Sequence, residues 1–337
     1  MKTDVLSDVL RAVRLTGAAY FDFELSSPWV REAPPARELA GLLMPGAQRV
    51  IEYHLVARGS CWGQAIGVGE PIRLGEGDVI LFPRGDAHVI SSEPGMRERV
   101  DIGAFPRPST PLPVFYEVGG GGPDRARIVC CFLGCDERPY NPLLGALPPV
   151  IHLSAARGQS AAAWLGQLMS TAAIEARSAR PGGENVLARL SELMFVETIR
   201  QYLATLPLSE AGWLAGLRDP IVGHALAALH GEPASAWTVE RLAREVAISR
   251  SVLAERFTAL VGQPPMQYLA LWRMQLASCL LVDGRPVAAI AEAVGYESEA
   301  SFSRAFKKLV GYSPAAWRQA QRRSLTSHEH DDQRRAR

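Results

Sequence analysis

The chain has 337 residues, 47% hydrophobic and 21% charged, with 36 Lys and Arg balanced against 35 Asp and Glu. That length supports a substantial core and more than one domain; the balanced charge excludes a strongly basic nucleic-acid tail, and no stretch approaches the roughly 18 apolar residues of a membrane span. Five cysteines (Cys61, Cys130, Cys131, Cys135, Cys279) are an odd, sparse set, which argues against a disulfide scaffold and for a reducing compartment, so a cytoplasmic protein is expected.

The N-terminal stretch "MKTDVLSDVLRAVRLTG" predicts an amphipathic helix and lacks a signal peptide's apolar core. Residues 1–153 are rich in Gly and Pro. Within them, 49–57, 71–74, 78–83 and 127–134 predict strands between glycine turns, the pattern of a small antiparallel barrel or sandwich. Residues 39–44 fit a helical turn or a short strand equally. From Ser154 the texture changes, and 160–178 and 183–206 show apolar residues at helical spacing, separated by "RPGG" at 180–183. In the second helix Val186, Leu190, Leu193, Met194, Val196 and Leu203 are expected on one side, either to pack on the first domain or to join two chains. A third region, 208–323, is helical throughout, and the tail 324–337 has no apolar periodicity and is expected to be disordered.

The third region contains a repeat. "FTALVGQPPMQYL" begins at Phe257 and "FKKLVGYSPAAWR" at Phe306, and Phe257, Leu260, Val261, Gly262 and Pro265 fall on Phe306, Leu309, Val310, Gly311 and Pro314. Each copy runs from an apolar helical stripe to a glycine stop and a proline restart. Upstream, Leu242 and Val246 match Ile290 and Val294, while Ser249 and Leu253 match Ser298 and Phe302 with one extra residue in the second turn, within "GYES". Ser249 and Ser298 are natural N-caps. Each unit therefore has helix-turn-helix syntax. The intervening "PMQYLALWRMQLASCLLVD" predicts an unbroken helix of about 17 residues, roughly 25 Å long, the scale on which two reading helices reach successive major-groove faces. Two copies are too few for a self-stacking solenoid. From Asp219 onward 15 Lys/Arg face 12 Asp/Glu, against 21 and 23 in the remainder, a mild tilt that decides nothing by itself.

Together, "WTVERLAREVAISRSVLAERFTALVGQPPMQYL" and "WRMQLASCLLVDGRPVAAIAEAVGYESEASFSRAFKKLVGYSPAAWR" resemble the signature of the AraC/XylS family of transcription regulators over about 100 residues. The resemblance implies that the second helix of each unit enters the major groove. The matching positions are Arg250, Ser251, Ala254 and Glu255, then Glu299, Ala300, Ser303 and Arg304. Ala254 and Ala300 offer only a methyl group, and Glu255 can accept from cytosine N4 but otherwise repels an anionic groove. Arg304 is the best candidate for a guanine or phosphate contact; Arg256, Lys307 and Lys308 are candidates for phosphate. Leu242, Val246, Leu253, Phe257, Ile290, Val294, Phe302 and Phe306 are expected in the core.

In the first domain "GDVILFPRGDAHVIS" fits the second cupin motif, through Gly77, Pro83, Arg84, Gly85 and His88. The first motif is eroded: after Gly46, Glu52-Tyr53-His54 stands where a metal-binding cupin has His-x-His, and Gly59 replaces its usual Glu. Glu52, His54 and His88 could still form a two-histidine, one-carboxylate set, but with two usual ligands missing no metal or other cofactor is expected. The domain resembles the cupin sensor domains of some AraC-type regulators, through "GSCW" (60–63), "PRGDAH" (83–88) and "NPLLGALPPVIHL" (141–153). Some of these respond to oxidants through thiols, which makes Cys61 with Cys131 or Cys135 the candidate redox pair and His54 and His88 further effector candidates. Cys130 and Cys131 should leave their strand on opposite faces.

The expected architecture is α+β and multidomain: a cupin-like β-barrel domain (1–153), a helical linker or dimerisation region (154–207), an all-α domain with two helix-turn-helix units (208–323) and a tail (324–337). The expected function is sequence-specific transcription regulation, as an activator, gated by a small-molecule effector or oxidant at the cupin domain. The expected partners are double-stranded promoter DNA, RNA polymerase and a second copy of the chain, with no membrane. A cupin dioxygenase or isomerase with an appended DNA-binding region is the alternative, and an architectural DNA binder a weaker third, since a sensor-sized domain would be superfluous in it.

Overall fold

The computed structural model describes residues 4–12, 15–44, 47, 49–104, 114–135, 139–155, 160–178, 180–207 and 212–321. Gly46 of the first cupin-like motif and the tail 324–337 lie outside them. The described residues form two compact units that alternate along the chain, one from 15–135 and 147–205, the other from 4–12, 139–146 and 206–321.

The first unit holds two sheets. Strands β1 (Leu15–Ser26), β3 (Arg49–Arg58), β6 (Val79–Phe82), β8 (Val114–Gly119), β9 (Arg125–Cys135) and β10 (Ile151–Leu153) form one, in the order β10-β6-β3-β9-β1-β8. Strands β2 (Val30–Ala33), β4 (Cys61–Ala65), β5 (Val68–Leu74) and β7 (His88–Ser91) form the other, in the order β2-β7-β4-β5. All four strands expected from sequence are present, as β3, the end of β5, β6 and β9. The described strands form two separate hydrogen-bonded sets, so of the expected cupin-like barrel or sandwich the sandwich form is present. Its core draws Phe21, Val56, Phe82, Ile128 and Phe132 from the larger sheet and Cys61, Leu74 and Ile90 from the smaller. Residues 39–43 resolve as helix, within α2 (Ala36–Leu43), and Met44 is its C-cap.

Helices α4 (Ser160–Ser178) and α5 (Gly183–Thr205) pack along one another, after a turn in which Gly182 takes φ +82°, a left-handed value that glycine adopts without strain. The apolar side of α5 differs from the one expected. Leu187, Ser191, Met194, Phe195, Thr198 and Ile199 are buried, whereas Val186 and Leu193 are 43% and 46% exposed. The helix has apolar residues on two faces, and the described residues cover only one of them.

The second unit is helical: α1 (Val5–Ala12), α3 (Pro142–Ala146), α6 (Trp213–Arg218), α7 (Pro220–Gly231), α8 (Val239–Glu245), α9 (Arg250–Val261), α10 (Pro265–Val282), α11 (Val287–Ala293), α12 (Glu299–Val310) and a last helix over 314–321. The sequence-drawn boundaries were contiguous, but α1 and the segment around α3 belong here, held by polar pairs. The buried Gln275 side chain donates to the Ala12 carbonyl (3.1 Å), one of the acceptors a helix end leaves open, and accepts from the Tyr140 N–H (3.3 Å). Gln263 donates to the Tyr140 hydroxyl (2.5 Å). The spacer α10 has 18 residues, about 27 Å at 1.5 Å per residue. Each face of it serves a different unit of the repeat: Tyr268 and Trp272 face the first, and Met274, Ala277 and Leu281 pack with Ile290, Val294, Phe302 and Phe306 of the second.

Tyr268 anchors a buried polar group. Its hydroxyl accepts from Trp213 Nε1 (3.0 Å) and meets His230 Nε2 (2.7 Å), and the His230 ring stacks on Trp272 at 4.2 Å. Burial lowers the His230 pKa to about 3, even though Asp8 of α1 lies 3.8 Å from Nδ1. The folded pKa lies below the unfolded one, so the stability His230 contributes is complete above about pH 6.5 and is lost as pH falls toward 3. At pH 5 the loss should reach roughly 2 kcal/mol. Denaturant titrations at pH 7 and pH 5 check this: His230→Gln should flatten the difference, and an unchanged difference would assign the acid sensitivity to other groups.

Candidate nucleic-acid interface and sensor cavity

The two reading helices are built alike. Ser249 accepts from the Val252 N–H and Ser298 from the Ser301 N–H (3.3 and 3.2 Å). Both helices stop at a left-handed glycine, Gly262 with φ +82° and Gly311 with φ +89°. Leu253 and Phe257 in α9, and Phe302 and Phe306 in α12, are fully buried, and the remaining expected core positions are buried. With that spacing facing inward, Ser251, Glu255 and Thr258 turn outward on α9, and Ala300, Arg304 and Lys307 on α12. All six are exposed, and Ala254 and Ser303 flank them half-buried.

The cations of the two helices differ in their commitments. Arg256 holds Asp219 through Nε and Nη2, the latter at 2.6 Å, while Asp219 also caps α7 by accepting from Ile221 and Val222. Burial would raise the Asp219 carboxyl, but the Arg256 and backbone hydrogen bonds bring it below its ordinary value. Arg256 is thus a clasp between α9 and α7, which weakens its candidacy for phosphate. Arg250 pairs with Glu240 at 2.9 Å on the surface. Glu299, Arg304, Lys307 and Lys308 are exposed on α12, which carries three Lys or Arg against one Glu where α9 carries two Arg against one Glu.

In the other unit the sheets enclose a cavity of about 250 Å³. Aromatic groups dominate its wall: Phe23 and Tyr116 stack at 5.0 Å, Phe21 meets Phe132 edge-on at 5.2 Å, and Trp29 joins them. Arg31 and Arg99 stand at the exposed end, and His54, His88 and Cys130 at the buried end. The β3–β9 register sets His54 opposite Cys130, and His88 opens β7 in the facing sheet.

These side chains form one chain of contacts. His88 Nδ1 lies 3.0 Å from the Asp86 carbonyl, which only accepts, so Nδ1 carries the proton and Nε2 presents a lone pair. His54 Nε2, 2.7 Å away, then donates to it, and His54 Nδ1 accepts from the Cys130 thiol at 2.8 Å. Burial lowers both histidines, His88 to about 4, and raises Cys130 well above the ordinary thiol value. Glu52, two residues before His54 on the same strand face, is fully buried and also raised by burial; among the described residues neither of its oxygens has a hydrogen-bond partner, and one lies 3.6 Å from His88 Nε2.

The structure therefore gathers Glu52, His54 and His88 but does not gather the expected cysteine pair. Cys130 faces the core shared with Cys61, whereas Cys131 leaves the opposite face of β9 toward Ser191 of α5 (3.8 Å), and Cys135 shares the parity of Cys131. Burial pushes the Cys61 thiol up to about 12. Cys130, passed over in the sequence, is the thiol at the cavity; alternation alone could not say which of the adjacent cysteines faces inward. Gly59, where metal-binding cupins carry Glu, has φ +80°, and a Cβ there would come within 2.3 Å of the Arg125 carbonyl oxygen. The turn excludes any side chain at that position.

Two equivalent helix-turn-helix units on one rigid spacer, together with a cavity-bearing sheet unit, define a DNA-binding regulator with a sensor-type domain. Comparison with known proteins agrees: a cupin family model matches residues 4–204, and a helix-turn-helix domain model matches 242–320. A putative AraC-like transcription regulator of Streptomyces lividans is 37% identical over 275 residues, covering 81% of this chain and 88% of its own. The HTH-type transcriptional regulator AlkR of Acinetobacter baylyi is 32% identical over 252 residues (72% and 79%), and the RCS-specific HTH-type transcriptional activator RclR of Escherichia coli is 28% identical over 275 (81% and 86%). The chain belongs to the AraC-like family of transcription regulators. No described helix is long and apolar enough to cross a membrane.

Proposed function

We propose that the chain is a cytoplasmic transcription activator that occupies promoter sites as a homodimer, contacts RNA polymerase there, and changes its DNA binding when a small molecule enters the cupin cavity. The observation that carries this reading is the matched pair of reading helices, capped and ended alike and joined by α10. Arg304 reads a base from α12, and Lys307 and Lys308 hold phosphate. Ser251, Ala254 and Glu255 face the groove from α9, with Arg250 at its first turn. The name of the E. coli relative supports activation. The names of the relatives as regulators support reading the cavity as a sensor in preference to an active site. An effector is favoured over a thiol switch by the aromatic cavity and by the opposed faces of Cys61 and Cys131.

Substitution on α12 tests the assignment. Arg304→Ala should lose about 1–3 kcal/mol of specific binding and relax preference at one base position, as expected for a guanine contact. Lys307→Ala should weaken all sequences alike and lower the salt slope by about one counterion. Footprinting and titrations at several salt concentrations separate the two. An equal, sequence-independent loss in both variants would reduce Arg304 to a phosphate contact, and salt-independent binding by the parent would remove the DNA reading itself.

A further inference from the structure

We infer that Glu255 fixes the direction in which the chain lies along its DNA site. At the position where α12 presents Arg304 to a guanine, α9 presents a carboxylate that accepts from a cytosine and rejects a guanine. The inference rests on the DNA-binding reading above and gives the two reading helices opposite tasks. In the register that sets Phe257 on Phe306, Glu255, Thr258 and Ala259 fall on Arg304, Lys307 and Lys308, and all six are exposed. The helices share their caps, buried positions and glycine stops. They differ on the outward face, where one equivalent position reverses its charge.

A solvated surface charge is the plainest reading of an exposed glutamate, and on a helix a cation three or four positions away ordinarily shares it. Around Glu255 those positions hold Ser251, Val252, Thr258 and Ala259, none of them charged. The arginines of α9 are engaged with other carboxylates, Arg250 with Glu240 at 2.9 Å and Arg256 with Asp219 at 2.6 Å. Against DNA such a carboxylate repels phosphate whatever the sequence. It gains only where a base presents a donor to it.

In the major groove cytosine offers the N4 donor, adenine sets the N7 acceptor beside its N6 donor, and guanine offers the acceptors N7 and O6. Glu255 therefore favours cytosine and is opposed most strongly by guanine, the base that suits Arg304. The consequence is directional. In the reversed placement Glu255 would face the two acceptors of the guanine, and Arg304 would meet the donor of the cytosine. Two unfavourable contacts would replace two favourable ones, so the carboxylate acts against the wrong placement as much as for the right one.

Site selection from random-sequence DNA tests this with the full-length parent, Arg304→Ala and Glu255→Ala. The parent's consensus should contain a guanine that Arg304→Ala no longer requires. About one helical turn away it should contain a cytosine that Glu255→Ala no longer requires. Exchanging that cytosine for guanine in the selected site should weaken the parent by roughly 5- to 150-fold, the cost of one mismatched pair, and Glu255→Ala by less than about 3-fold, since a methyl group reads neither edge. Binding of Glu255→Ala to unrelated DNA should hold or rise as the repulsion is removed, an effect that damage to the helix would not produce. Glu255→Arg should reverse the preference at that position. The inference is overturned if either alanine variant keeps the parent's full consensus, or if Glu255→Ala weakens every sequence alike. A parent that selects no sequence would remove the DNA-binding reading and this inference with it, whereas a retained consensus in Glu255→Ala would leave that reading standing.

Discussion

Gly295→Ala should destabilise the DNA-binding unit by about 2–5 kcal/mol, the combined cost of a left-handed alanine and of overpacking, whereas Ala247→Gly, the reverse exchange at the equivalent position of the first repeat, should stabilise it by up to about 1 kcal/mol. Both residues sit just past the first helix of their unit, with φ +56° at Ala247 and +80° at Gly295. Both turns close with the same pair of hydrogen bonds: Ala247 N–H to Arg244 and Ile248 N–H to Ala243 in one, Gly295 N–H to Glu292 and Tyr296 N–H to Ala291 in the other. That is a Schellman ending, which favours glycine at the left-handed residue. The surroundings separate the two sites. A Cβ on Gly295 would come within 2.3 Å of the Ala234 carbonyl oxygen and 2.7 Å of its Cα, and backbone cannot swing aside as a side-chain tip can. Urea titrations at unchanged slope measure both effects. A loss under 1 kcal/mol for Gly295→Ala would show that the loop around Ala234 yields freely.

The repeat was legible because its signals are local. A serine cap, two buried apolar positions four apart and a glycine stop fall within 14 residues in each copy, and together they predicted α9 and α12 with their core. The interleaving of the two units was not legible, since nothing in α1 or in "NPLLGALPPVIHL" states which surface it will cover. At the cavity, Glu52 and His54 could be placed on one strand face by alternation, and His88 by its motif. The convergence of all three depends on the pairing of two sheets, and the contact of Cys130 with His54 depends on the β3–β9 register. Such long-range pairings leave little trace in a single sequence. In α5 the apolar pattern misled for a physical reason. A helix with two apolar faces has no single stripe, so periodicity cannot distinguish the face that meets its own sheet from the face left outside.

That outer face gives the second large effect. Val186→Glu combined with Leu193→Glu should convert a dimer into a folded monomer and reduce occupancy of paired DNA sites by about 10²–10⁴-fold, the range that linking two binding modules supplies. The two residues lie seven apart, two turns along one line of α5, and remain 43% and 46% exposed; α4 adds Trp164 at 48% and Ile174 at 65%. These exposed apolar residues are where the proposed dimer would pair, and a second copy of the chain would bring two pairs of reading helices to one promoter. The choice of positions matters. Met194 is 1% exposed and packs inside its own chain, so Met194→Glu buries a charge and should unfold the unit, saying nothing about pairing. Val186 and Leu193 leave that interior untouched. Sedimentation of the parent at micromolar concentration comes first: if it is a monomer with and without DNA, this face has another occupant. If the parent is a dimer and the double variant remains one, the contact lies elsewhere on the chain. A monomeric variant that still binds a single site with the parent's base preference would place the helical pair as the element that couples two sensor units to two sets of reading helices.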